Sequence, residues 1–147
     1  MLQEVQAHTT CISKVSFCSL SQETVLVSSS YDGDISLWKV PSLTAEPVIS
    51  CNKAAMNENQ IEHKRGISDF VYIPNTTKII ATSFDYTLKI IDLASEYSCH
   101  HTMYAHSAPV MQIQLSPDGI RLATGSLDGQ VLLWQFEQDQ VPTPIGV

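Results

Sequence analysis

The sequence predicts an all-β protein made of three repeated units of short strands and tight turns. Three observations carry this: one pattern occurs three times, its apolar residues follow strand rather than helix spacing, and two of its turns read Asp-Gly. The first unit runs from Ala7 to Val40, the second from Glu62 to Leu93, the third from Ala105 to Phe136. The turn aspartates Asp32, Asp85 and Asp128 mark the period, with 53 residues between the first two and 43 between the last two. A period of this size is the mark of a repeat architecture, in which each unit buries its apolar face only against a neighbour.

Each unit opens with an alternating segment. Val15 and Phe17 in the first, and Met111, Ile113 and Leu115 in the third, are separated by polar neighbours, as in a half-buried strand. A second kind of segment is β-rich and nearly continuous, as at Val25 to Val27, Ile79 to Ile80 and Val131 to Leu133. Such runs suit strands covered on both faces. Asp32-Gly33 and Asp128-Gly129 lie between two such runs, a hairpin signal because glycine adopts positive φ without steric cost. Ser116-Pro117-Asp118-Gly119 is a further turn of the same chemistry. Inner strands are expected near 11–18, 24–31 and 34–40, a second group from Ile67 to Tyr104, and a third near 109–115, 121–127 and 130–136.

At 147 residues, 44% hydrophobic and 16% charged, the chain has the composition of one ordinary globular domain. Its net charge of −7 disfavours nucleic acid and anionic membranes as partners. No run approaches the ~20 apolar residues of a membrane-spanning helix, and the N-terminus lacks the basic start of a signal peptide. These features point to an intracellular protein, cytoplasmic or nuclear. Cys11, Cys18, Cys51 and Cys99 form no C-x-x-C pair and are expected as free, buried thiols. The sequon Asn75-Thr76-Thr77 has no consequence inside the cell.

The three units resemble the WD-repeat family, whose members form β-propellers of four-stranded blades. The resemblance covers nearly the whole chain, from about Leu2 to Phe136. It implies a buried hydrogen-bonded set of His, Ser or Thr, turn Asp and Trp in each repeat. Carried over by position, the first unit supplies His8, Ser28, Asp32 and Trp38, and the third His106, Thr124, Asp128 and Trp134. The second keeps His63, Asp85 and the closing Asp92, but Ala81 and Ile91 stand in the Ser/Thr and Trp places, which makes the middle blade the expected loosest. Ala or Glu replaces the family's Gly before each His, and Lys39 and Gln135 replace the Asp after each Trp.

The resemblance implies three blades over residues 1–137, with repeats at about 7–40, 62–93 and 105–136, an insertion at about 43–60, and a tail or linker at 138–147. This is an incomplete propeller. Leu2 to Gln6 reads as an outer strand without a blade of its own, and Glu46 to Ile61 must hold the outer strand of blade one. Pro142 and Pro144 make the tail a poor outer strand for blade three. Three blades leave two open sides, because propellers close with about four to eight. The remaining blades would come from the rest of a longer chain, a partner, or a second copy.

Ser or Thr, His and Asp in one unit invite comparison with a hydrolase. A nucleophile must be exposed beside its base in a substrate cleft, whereas here the hydroxyl sits on an interior strand and the set recurs with a Trp beside it. That recurrence marks a structural device, so no catalytic residue is expected and the protein reads as a non-enzyme. Cys99-His100-His101 is not expected to bind zinc, because neighbouring strand residues point to opposite faces and His106 belongs to the structural set. No metal or cofactor is expected. Lys64-Arg65-Gly66 faintly resembles the basic motif of phosphoinositide-binding propellers, the weakest of the functional readings.

The leading reading is a non-catalytic scaffold for protein–protein interaction within a complex; the alternative is a structural subunit that completes a propeller. The family design implies one face carrying Thr9, Thr10, Lys64, Arg65, Ser107 and Ala108, with Tyr31, Phe84 and Leu127 just before the turn aspartates. Large apolar side chains at three equivalent turns are what a binding hot spot needs.

Overall fold

A computed structural model of the chain describes residues 4–40, 49–50, 66–94, 99–137 and 140–145, with backbone alone at 49, 50, 99 and 100. Three antiparallel four-stranded sheets make up the fold, and there is no helix among the described residues. Sheet one holds β1 (Ile12–Leu20), β2 (Glu23–Ser30), β3 (Ile35–Lys39) and β4 (Ile49–Ser50). Sheet two holds β5 (Ile67–Tyr72), β6 (Lys78–Ser83), β7 (Thr87–Asp92) and β8 (Cys99–Tyr104). Sheet three holds β9 (Val110–Leu115), β10 (Arg121–Ser126), β11 (Val131–Gln135) and β12 (Thr143–Pro144). In each sheet the strands lie side by side in chain order. These are three propeller blades, and together they form an incomplete ring.

The register makes the repeats superimposable. Val15 faces Ser28, Phe70 faces Ala81 and Ile113 faces Thr124, while Leu26 faces Trp38, Ile79 faces Ile91 and Leu122 faces Trp134. Ala81 and Ile91 therefore occupy the sites that hold hydroxyl and indole in the outer blades. The turns explain the tolerance: Gly33 and Gly129 take positive φ, and Tyr86 takes φ 76° at the same place in blade two.

Two cores lie between the blades. Blade one contributes Cys18, Val25, Val27 and Leu37 against Phe70, Ile79 and Ile91 of blade two. The other face of blade two contributes Ile80, Leu88 and Ile90 against Ile113, Leu122 and Trp134 of blade three. The middle blade is thus the most enclosed, with every residue of β7 buried. Its departures from the family set are offset by apolar contact on both faces, which the outer blades have on one face only.

The N- and C-terminal segments differ from the sequence expectation. Residues 4–8 form no strand, while the tail does supply a fourth strand to blade three. Thr143 and Pro144 pair with Gln135 and Trp134, and Ile145 N–H donates to Leu133 O at 2.8 Å. A two-residue edge strand tolerates proline because Pro144 stands where no ladder donor is needed. Cys11 is exposed rather than buried, whereas Cys18 is buried and its thiol is pushed up to about 11 by desolvation against the opposing pull of Lys14. Cys51 and the Cys99 side chain, like most of the 43–60 insertion, lie outside the described residues.

Candidate functional site

Each long hairpin ends in the same turn. The serine two residues before the Asp (Ser30, Ser83, Ser126) accepts the N–H of Asp32, Asp85 or Asp128 at 3.1–3.2 Å. Its hydroxyl donates to Cys11 O, Gly66 O or Pro109 O at 2.9 Å. The carboxylate accepts the N–H two residues on, from Asp34, Thr87 or Gln130. Tyr31, Phe84 and Leu127 then donate their N–H groups to the same three carbonyls at 3.0–3.1 Å. The turn backbone is fully engaged, so the side chains of these three residues are carried outward on a rigid mount.

The hydrogen-bonded sets lie directly beneath. In blade three, His106 Nδ1 is 2.9 Å from Asp128 Oδ2, His106 Nε2 is 2.8 Å from Thr124 Oγ1, and Trp134 Nε1–H donates to that oxygen at 3.0 Å. A carboxylate only accepts, so the neutral ring carries its proton on Nδ1 and Nε2 accepts from Thr124. Blade one repeats this with His8 Nε2 to Ser28 Oγ at 2.8 Å and Trp38 Nε1–H to the same oxygen at 3.1 Å. Its His8 Nδ1 to Asp32 Oδ2 separation is longer, 3.5 Å. In blade two, Asp85 accepts from the Thr87 hydroxyl, and Asp92 accepts from the Thr77 hydroxyl at 2.6 Å and from Ala94 N–H. His63, Lys64 and Arg65 lie outside the described residues.

The two outer turn carboxylates are held in their charged form. Burial works against the charge on Asp128, but the N–H groups of Gln130 and Ser107 and the His106 ring outweigh it and hold the carboxyl at about 2, below its ordinary 3.8. For Asp32, burial is likewise outweighed by the N–H groups of Asp34 and Thr9, with His8 and Ser30. A carboxyl with a depressed folded pKa stabilises the fold fully above its unfolded value, and that stability is lost as pH falls through the folded value. The melting temperature should therefore fall between about pH 4 and about pH 2. Asp128→Asn should flatten part of that slope. A melting temperature unchanged across this range would refute the assignment.

On the outer surface of the turns, Thr9 N–H and hydroxyl both reach Asp32, and Ser107 N–H reaches Asp128 at 3.0 Å. Tyr31 and Phe84 meet edge to face, ring centres 5.2 Å apart, across the junction of blades one and two. Leu127 is exposed at the equivalent point of blade three. The structure thus brings Tyr31 and Phe84 into contact, and ties Thr9 and Ser107 to the aspartates that follow Tyr31 and Leu127. Gly66, read from sequence beside the basic pair, has a packing reason: a Cβ there would lie 2.6 Å from Tyr31 Cα and O. His8, Asp32 and Asp34 bring one ligand atom each within 4.8 Å of one another. Asp32 already accepts from Thr9 and Asp34, so this cluster is read as part of the turn.

Two groups escaped the sequence reading. The serines Ser30, Ser83 and Ser126 are identical in all three units at one spacing from the Asp, a signal present in the alignment. The other is the tie between inner strands. Lys14 Nζ lies 2.8 Å from Asp69 Oδ1 and donates to Phe70 O at 2.7 Å. Asp69 Oδ2 accepts Ile113 N–H at 3.0 Å. One carboxylate thus links all three blades. Lys14, Asp69 and Gln112 share one repeat position, and the opposite charges in adjacent units were the available clue.

Comparison with known proteins agrees with this geometry. The WD domain, G-beta repeat pattern matches residues 1–39 and 97–135, slightly more than half of the chain. The transcriptional corepressor LEUNIG_HOMOLOG of Arabidopsis thaliana is 32% identical over 106 residues, 71% of this chain and 12% of that protein. An uncharacterized WD repeat-containing protein of Schizosaccharomyces pombe is 22% identical over 93% of this chain and 31% of its own length. U3 small nucleolar RNA-associated protein 12 of Saccharomyces cerevisiae is 23% identical over 85% of this chain and 12% of its own length. The chain spans less than a third of each of these relatives. With this repeat pattern matched over more than half of its residues, the chain belongs to the WD40 repeat family.

Proposed function

We propose that the protein is a non-catalytic scaffold that holds protein partners on the surface formed by its Asp turns. The observation that carries this is the shared construction of the three turns. Each fixes its backbone with the same serine and aspartate and leaves Tyr31 or Leu127 exposed, with Phe84 half-buried beside Tyr31. Rigid, pre-ordered side chains lose little conformational entropy on binding, and aromatic residues so placed make effective anchors. Tyr31 is 49% exposed and Leu127 65%, so both retain apolar surface to bury. The buried position of Ser28 and Thr124, each shared between a histidine and a tryptophan, supports structural roles for the hydroxyls rather than nucleophilic ones. Partners in a nuclear or cytoplasmic complex fit relatives that include a transcriptional corepressor and a U3 small nucleolar RNA-associated protein.

The test is affinity capture from cell extract with the wild-type chain, Tyr31→Ala, Leu127→Ala and, at the opposite end of blade one, Gln22→Ala. Proteins held by the wild type and by Gln22→Ala should be lost from the other two, both of which should stay folded. Tyr31→Ala and Phe84→Ala remove the same edge contact, so each should cost about 1 kcal/mol, whereas Leu127→Ala should leave the melting temperature nearly unchanged. Equal capture by all variants, or unfolding of Tyr31→Ala, would remove the turn surface from consideration.

A further inference from the structure

His8, Asp32 and Asp34 belong to the turn of blade one, and the turn does not satisfy all of them. In blade three the matching histidine is closed on both sides: His106 Nδ1 meets Asp128 at 2.9 Å and Nε2 meets Thr124 at 2.8 Å. His8 keeps the second contact, to Ser28 at 2.8 Å, and lacks the first. Its Nδ1 stands 3.5 Å from Asp32 Oδ2 and has no hydrogen-bond partner, on a side chain only 1% exposed. An open ring nitrogen in the interior of a fold is costly unless something fills the gap.

Blade one differs at a second place. Two residues after the turn Asp, blades two and three carry the uncharged Thr87 and Gln130, whereas blade one carries Asp34. One ligand atom each from His8, Asp32 and Asp34 lies within 4.8 Å of the other two. Burial opposes the charge on Asp32, but the N–H groups of Asp34 and Thr9 outweigh it and hold the carboxyl below its ordinary range. A second carboxylate so close repels the first, and a divalent cation between them removes that repulsion. The spacing also suits a tetrahedral ion. Zinc holds imidazole nitrogen and carboxylate oxygen at about 2.0–2.2 Å, so neighbouring corners of its tetrahedron lie roughly 3.4 Å apart. The gap of 3.5 Å between His8 Nδ1 and Asp32 Oδ2 matches such an edge.

We propose that His8 Nδ1, Asp32 and Asp34 form a zinc-binding site that pins the start of the first repeat to its turn. With a neutral imidazole the three side chains carry two negative charges, which the ion balances, and water takes the fourth corner. The His8 ring then holds its proton on Nε2 and donates it to Ser28, the opposite tautomer from His106. Asp32 keeps the Thr9 N–H at 2.9 Å, and the longer Thr9 hydroxyl contact at 3.2 Å gives way to the ion. Residues 4–8 form no strand, so the ion ties down a segment that lies outside the sheet ladders. The site is independent of the partner surface at the turns.

The experiment is calorimetric titration of the chelator-stripped chain with zinc chloride, alongside thermal melting with and without zinc. Asp34→Gln installs the residue that blade three carries at this position, and Asp34→Asn keeps the side-chain shape, so both variants should fold. The wild type should bind zinc and melt at a higher temperature in its presence, because the ion binds the folded form. Both variants should bind at least about tenfold more weakly, the scale of loss when even an outer-shell partner of a ligand is removed. They should also lose the melting shift. Nitrogen NMR of the histidine rings gives an internal control. Zinc should shift the His8 signals and leave those of His106, whose Nδ1 is already closed by Asp128. A wild-type chain that takes up no zinc, uptake that is unchanged in both variants, or a His8 ring that does not respond would overturn the proposal.

Discussion

Trp134→Ala should lower the stability of the protein by about 3–5 kcal/mol, the usual cost of truncating a fully buried aromatic residue. Trp134 is 2% exposed and packs in the core between blades two and three with Ile113 and Leu122. Its indole N–H also donates to Thr124, so the truncation leaves a cavity and takes one partner from a buried hydroxyl. Trp134→Phe separates the two effects. It keeps most of the volume and removes the N–H, which should cost about 1–2 kcal/mol. Urea denaturation of the two variants measures both values. A loss below about 1 kcal/mol for Trp134→Ala would mean that the junction does not hold blade three in place.

Asp69→Ala has the next largest expected effect, roughly 2–3 kcal/mol, because it strands two partners on two other blades. Lys14 loses its carboxylate and Ile113 N–H loses its acceptor. The Lys14 side chain is about one-third exposed, so water recovers part of its loss and the cost stays below that of a fully buried ion pair. Asp69→Asn keeps an acceptor near Ile113 and removes the charge, and should cost about half as much. A double-mutant cycle with Lys14→Met isolates the ion pair from the backbone bond. In repeat proteins cooperativity passes through the junctions between neighbours. Asp69→Ala should therefore also broaden the unfolding transition and separate the signals of Trp38 and Trp134. Coincident, sharp transitions in this variant would show that apolar packing alone couples the blades.

Much of the fold was legible because its determinants are local. The Asp-Gly turns, the alternation around Val15 and Ile113, and the threefold spacing of the Asp residues all lie within a single unit, where strand and turn chemistry act directly. The hydrogen-bonded sets were legible for a related reason: Thr124, Asp128 and Trp134 recur at the spacing of Ser28, Asp32 and Trp38, with a histidine 18 residues before Thr124 and 20 before Ser28, and the register brings each set together. In the middle blade, Ala81 and Ile91 stand in the Ser/Thr and Trp places, yet every residue of β7 is buried, because apolar packing on both faces encloses it. The short strand at Thr143–Pro144 was missed because the prolines were weighed without knowing that this edge needs few donors.

By itself the sequence determined the strands, the turns, the repeat and the buried sets, since each depends on residues within one unit. Only the tertiary structure decided which face of each blade is covered, why Gly66 must lack a side chain against Tyr31, and that Lys14, Asp69 and Ile113 form one link. Those are contacts between units. They depend on how two twisted sheets stack, and the residues involved are separated by 35 to 55 positions along the chain.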